Sequence, residues 1–239
     1  MFKFKKSILV NSSGFTLIEL LVAMAVASIV MAAIGSAYWI QTQTSREQQM
    51  VVGMQQSMRA AMFLLERDIK MAGYDNDNNN PPEPAITVAQ IDGNGNSELE
   101  FEYIAEDDGF DNDGDGTTDE ANELETIHYR LFDSSADTDN LRDDLQRRPG
   151  DPPVADNIEE IEFFYTLADG NRTLTPAAAD LEDIRAVGIS IIARTSAETR
   201  AGDTRPFTLL SDTVFNPPND GFKRQLVTAN IKCRNMGDD

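Results

Sequence analysis

The chain is poor in the residues from which catalytic and redox sites are built. Its 239 residues include one Cys (Cys233), one His (His128) and one Trp. A single thiol cannot close a disulfide within the chain, so an exported domain of this sequence must rely on its core or on another staple such as a metal ion. Cys233 falls in the apparent strand Leu226–Arg234, where a small packed residue is the simplest reading. A lone His has no partner for triad chemistry, and neither a Gly-rich phosphate loop nor a Cys/His cluster is present, so nothing supports catalysis. Positive charge is also scarce. There are 20 Lys and Arg against 41 Asp and Glu, a formal net charge of −21. That balance excludes nucleic-acid binding through a basic surface and fits a solvated surface or cation binding. Proline is missing from Phe15 to Gly73, so nothing there forces a helix to break.

What the chain does have is one long apolar run at its start. From Phe15 to Ile40 the only charged residue is Glu19. About 20 apolar residues suffice to cross a bilayer as a helix. Lys3, Lys5 and Lys6 precede the run, and basic residues ahead of an apolar segment hold it on the cytoplasmic side. The run is too long for the core of a secretory signal peptide, and no small-x-small cleavage site follows. A carboxylate early in a membrane helix is costly and usually marks function.

The hexapeptide Gly14-Phe15-Thr16-Leu17-Ile18-Glu19 between leader and run resembles the class III signal of type IV prepilins and type II secretion pseudopilins. The resemblance implies a leader of residues 1–14, cut after Gly14 by a membrane prepilin peptidase that also methylates Phe15. It implies that Glu19, then the fifth residue, serves assembly with other minor and major pilins at an inner-membrane platform. Loss of the three leader lysines takes the net charge from −21 to −24.

Beyond Ile40, Val51, Met54, Met58, Ala61, Leu65 and Ile69 recur at three- and four-residue steps, with Arg59, Glu66, Arg67 and Lys70 elsewhere. This is a helical stripe that faces a core. Gly73 ends it. The pattern predicts one nearly continuous helix from Phe15 to about Ala72, roughly 85 Å at 1.5 Å per residue. The organisation expected is a leader at 1–14, a long helix at 15–73 with its membrane and assembly segment at 15–40, and a globular domain at 74–239.

After a polar linker at 74–84, alternation marks strands. Ile86–Ile91 is one. Leu99, Phe101 and Tyr103 alternate with Glu98, Glu100 and Glu102, and Ile127, Tyr129 and Leu131 share a face that His128 avoids. Leu141 and Leu145 mark a short strand or turn. Ile158–Leu167 reads as a strand with a helical turn leading in, and Pro176–Asp183 as a short helix. Ile184–Thr195 is the strongest central-strand candidate, 196–222 a polar excursion, and Leu226–Cys233 a last strand. A long helix followed by antiparallel strands is an α+β architecture, with the helix's second half across one sheet face.

Several segments resemble the PilW family of minor pilins: Arg59-Ala-Ala-Met-Phe-Leu-Leu-Glu-Arg-Asp-Ile-Lys-Met-Ala-Gly-Tyr74, Ala155-Asp-Asn-Ile-Glu-Glu-Ile-Glu-Phe-Phe-Tyr165, and Arg185–Thr195. The J-type minor pseudopilins of type II secretion share signal, helix and sheet. Major pilins often carry a Pro in the membrane half of the helix; here the region reads Gly35-Ser36-Ala37-Tyr38.

One motif points to a metal. Asp111, Asp113 and Asp115 alternate, Gly116 follows at the sixth position, and Thr117 and Asp119 complete the head of an EF-hand-like calcium loop. Thr117 would offer its carbonyl, and Asp119 would bind directly or through water. The twelfth position is Asn122 rather than Glu, with Glu120 or Glu123 as substitutes. The competing reading is a solvated acidic loop. Asp92, Asn94 and Asn96 form a weaker constellation, read as a turn.

The expected function is therefore that of a minor pilin, in the inner membrane with its domain in the periplasm, that joins the initiation or tip complex of a type IV pilus. A type II secretion pseudopilin and a calcium-dependent tip adhesin module are the alternatives.

Overall fold

The computed structural model describes residues 14–75, 85–93, 95–105, 123–134 and 141–237. The chain divides into two compact units, residues 1–48 and 49–239.

Helix α1 spans Leu17–Ile69. It starts two residues later than the periodicity predicts because Thr16 caps it. It stops earlier because the chain tightens into a turn over 70–73. Gly73 sits at φ +72, and its N–H donates to the Glu102 carbonyl at 2.9 Å. A Cβ at Gly73 would approach that of Ala85 to 2.9 Å, so both dihedral and space call for glycine there. In the first unit, every residue from Gly14 to Gln41 is exposed.

In the second unit, α1 buries one face. Met54, Met58, Ala61, Leu65 and Ile69 join the core, while Phe63 on the opposite side is 67% exposed. Three- and four-residue steps along a 3.6-residue helix keep these side chains on one line.

Among the described residues the strands form two four-stranded sheets and a separate hairpin. The first sheet has the order β1 (Ile86–Ile91), β2 (Ser97–Ala105), β3 (Glu123–Phe132) and β4 (Asp144–Gln146). The second has the order β10 (Arg224–Lys232), β7 (Ile184–Arg194), β5 (Ile158–Leu167) and β6 (Arg172–Thr173). The hairpin pairs β8 (Phe207–Thr208) with β9 (Val214–Phe215). All pairings are antiparallel.

Register follows the hydrophobic alternation. Leu99 faces Tyr129 and Phe101 faces Ile127 across β2 and β3, and all four are buried. A one-residue slip would turn these four outward and Glu100 and His128 inward. β7 lies between β10 and β5 and is buried almost end to end, as its β-branched run predicts. Helix and sheet residues share one core, from Leu65 and Ile69 to Phe101, Tyr129, Phe163 and Ile189.

Some local expectations fail. No helical turn precedes β5: Asn157 takes φ 60 and the strand begins at the next residue, with a bulge between Ile158 and Glu160. Pro176–Asp183 contains only a 3₁₀ turn, Ala178–Asp180, none of whose residues is buried. Without an apolar face, so short a segment cannot propagate as a helix. Cys233 lies just past β10, although its N–H still donates to the Arg185 carbonyl at 3.0 Å. The excursion at 196–222 contains the hairpin and folds tightly on itself at Gly202, where a Cβ would come within 2.6 Å of Gly221.

Candidate functional site

The start of the apolar helix is the first candidate. Gly14 and Phe15 are exposed, Phe15 at 90%. The next residues form a capping box, in which the cap side chain and a carboxylate three residues on satisfy each other's N–H groups. The Glu19 N–H donates to Thr16 Oγ1 at 3.3 Å. The Glu19 carboxylate accepts from the Thr16 N–H at 2.8 Å and from its hydroxyl at 2.7 Å. Glu19 is thus held by its own helix end, a local partnership that the Thr-x-x-Glu spacing encodes. The carboxylate keeps free lone pairs, since it can take about four hydrogen bonds.

From there, Leu17, Ile18, Leu20, Leu21, Ile29 and Met31 are all more than half exposed. Among the described residues this is the one helix long and apolar enough to cross a membrane. So much apolar surface is not stable in water and calls for lipid or neighbouring apolar helices.

Asp111, Asp113, Asp115, Thr117 and Asp119 lie outside the described residues, with Glu120 and Asn122. The segment 106–122 joins two paired strands, since Ala105 sits opposite Glu123. Asp92 and Asn96 form the expected turn: the Asn96 N–H donates to Asp92 Oδ1 at 2.9 Å, and Arg142 holds Asp92 Oδ2 at 3.1 Å. Asn94 lies outside the described residues. His128 faces away from the core, its Nδ1 3.4 Å from Glu100 and its Nε2 4.0 Å from Glu98.

Two buried ionic groups escaped sequence reasoning. Asp68 lies in the apolar stripe of α1 at 2% exposure. It accepts from the Tyr129 hydroxyl at 2.8 Å, from Arg147 Nε at 2.5 Å and from Arg67 Nε at 2.8 Å. This ties the helix end to β3 and to the loop after β4. Arg147 also approaches Glu125 at 3.6 Å, and Arg148 pairs with the same carboxylate. The second group is Arg224, whose guanidinium is buried between Glu159 and Asp220. An acid on the core side of the stripe was the available signal for Asp68, since buried acids are paired. Arg224 stood in no pattern. In both networks the charged groups are engaged with one another, Asp68 with Tyr129, Arg147 and Arg67, and Arg224 with Glu159 and Asp220. Burial also pushes the Cys233 thiol up to about 12, which leaves it an inert packed residue.

Comparisons with known proteins find relatives over the helix start and over part of the domain that follows it. A family model of the prokaryotic N-terminal methylation motif matches residues 9–35, and that of prepilin peptidase-dependent protein B matches residues 47–147. The pilin-like protein PilA3 of Thermus thermophilus is 26% identical over 176 residues, which span 68% of this chain and 71% of that protein. A type IV-like pilin from Thermus thermophilus aligns over 76% of this chain and 97% of its own, at 14% identity and a TM-score of 0.46. The methylation motif leading into an exposed apolar helix, and the resemblance to a pilin-like protein over two thirds of the chain, make this chain similar to type IV pilin-like proteins.

Proposed function

We propose that this protein is a minor pilin of the PilW type, which acts in the initiation or tip complex of a type IV pilus. Prepilin peptidase cuts after Gly14 and methylates Phe15. The segment 15–40 holds the protein in the inner membrane, the domain at 74–239 lies in the periplasm, and the assembled protein passes into the pilus with other minor and major pilins. The observation that carries this reading is the fully exposed apolar helix start headed by Gly14, Phe15 and Glu19. A helix that exposes this much apolar surface is made to be covered by lipid first and by other subunits later.

Mass spectrometry of the protein from assembly-competent cells tests the first step. N-methylated Phe15 is the expected first residue, and an intact Met1 on the functional protein overturns it. Deletion of the gene should lower pilus number and leave type II secretion intact. Loss of secretion with normal piliation would instead make it a minor pseudopilin.

The acidic segment supports a structural calcium site on the same domain. Asp111, Asp113, Asp115, Thr117 and Asp119 supply the hard oxygen donors that Ca²⁺ selects, and the paired ends of β2 and β3 anchor both ends of their segment. Calcium should raise the melting temperature of the parent by mass action and not that of Asp113→Ala or Asp115→Ala. An equal rise in all three would reduce the segment to a solvated loop.

A further inference from the structure

Glu160 and Glu162 stand two residues apart on β5, so both side chains leave the same face of the strand. They line one cavity of about 190 Å³, together with Ser97 at the start of β2 and with Leu209, Thr213 and Phe215 of the β8–β9 segment. Among the described residues the hairpin pairs only within itself, and its polar ties to the rest of the domain are few. The Leu210 N–H donates to Ser190 Oγ at 3.0 Å, and the Ser211 N–H and hydroxyl donate to the Glu162 carboxylate at 3.2 and 2.5 Å. Glu162, 4% exposed, is the main mooring.

Glu160 is half-buried in the same wall and makes no hydrogen bond or ion pair with a described residue. Its charged neighbours on β5 are Glu162 and Glu159, the latter engaged with Arg224. On the other elements around the cavity stand exposed Asp212 in the hairpin, Asp92 at the β1–β2 turn, held by Arg142, and Arg172 on β6, whose guanidinium lies over the Phe164 ring.

We propose that the β8–β9 hairpin is a proton-gated flap over this cavity, moored while Glu160 is neutral and loosened when Glu160 ionises. Ionisation places a second carboxylate on the same strand face as Glu162, in a half-buried site. Repulsion and lost hydration both disfavour that state, and both are relieved when water enters. Among the described residues the hairpin pairs with neither four-stranded sheet, so it is the wall that gives way first. Burial, then the charges of Glu162 and Glu159, push the Glu160 carboxyl up to about 7. With the flap open the group is hydrated and returns toward the ordinary carboxylate range. The closed form therefore binds the proton more tightly. Closure is strongest below that range and is lost as pH rises through about 7.

Hydrogen exchange on the full chain in detergent, at pH 5 and pH 8 and corrected for the intrinsic rate, tests this. Protection of the amides from Leu209 to Thr213 should fall roughly tenfold or more at pH 8, while Ile189 to Ile191 of β7 hold theirs. Glu160→Gln should keep the hairpin protected at both pH values. Glu162→Ala, which removes the acceptor of the Ser211 N–H and hydroxyl, should leave it poorly protected at both. An unchanged pH response in Glu160→Gln, a parallel loss in β7, or full protection in Glu162→Ala overturns the proposal.

Discussion

Two acids mark the two ends of α1, and their surroundings differ. Glu19 stands in an exposed apolar segment, and among the described residues its carboxylate is engaged by Thr16, three residues away. Asp68 stands in a buried stripe and is held by residues up to 79 positions distant. The first acid closes its own helix end. The second is used up by the fold. One helix thus has an exposed apolar half and a half that joins the core of its own domain. The carboxylates show the division more sharply than the apolar residues do, because a carboxylate away from water needs a partner.

The largest test of this contrast is Asp68→Ala. It strands the Tyr129 hydroxyl and the Arg147 guanidinium in the core, and removing one member of a buried ionic pair costs about 3–5 kcal/mol. Urea unfolding of the detergent-solubilised protein should show that loss, and a change below about 1 kcal/mol would mean the network is idle. Gly73→Ala should cost about 1–2 kcal/mol for the left-handed backbone, with more from the contact with Ala85. The same denaturation experiment measures it. Phe63→Ser, on the solvent face of the same helical half, should change stability by no more than about 0.5 kcal/mol. A larger loss would show that this face is covered. Smallest in folding and large in function is Glu19→Leu. The unfolding midpoint should stay where it is, and cross-linking to partner pilins in membranes and the pilus count should fall. Unchanged cross-linking and piliation would make Glu19 a helix cap and nothing more, and loss of the protein from the membrane would make it an insertion determinant.

The legible parts of the chain are those in which local pattern and burial coincide. Met54, Met58, Ala61, Leu65 and Ile69 announce their face by spacing alone, and all five are buried. Leu99 and Phe101 announce theirs by alternation, and they pair with Tyr129 and Ile127 of the neighbouring strand. Where the pattern is polar, local rules fail. Pro176–Asp183 offers helix formers without a face to bury, and gives only one 3₁₀ turn. The excursion at 196–222 has no periodicity, yet it contains a hairpin moored by Glu162, whose partner Ser211 is 49 residues away. At the candidate site, the basic leader, Gly14, Phe15 and Glu19 are readable as a unit, and the bond from Thr16 to Glu19 lies in the Thr-x-x-Glu spacing within it.

By itself the sequence determined the greasy helix start, the stripe that follows it, the strand faces and the scarcity of catalytic groups. Each of these depends on neighbours within a few residues, through a period of 3.6 or 2. Tertiary structure alone decided that the strands divide into two sheets, that Asp68 and Arg224 are buried with partners from distant segments, and that Glu160 shares a cavity with Glu162. Those outcomes depend on which residues far apart in the chain become neighbours. Burial then sets the cost of each charge, and no local pattern encodes that cost.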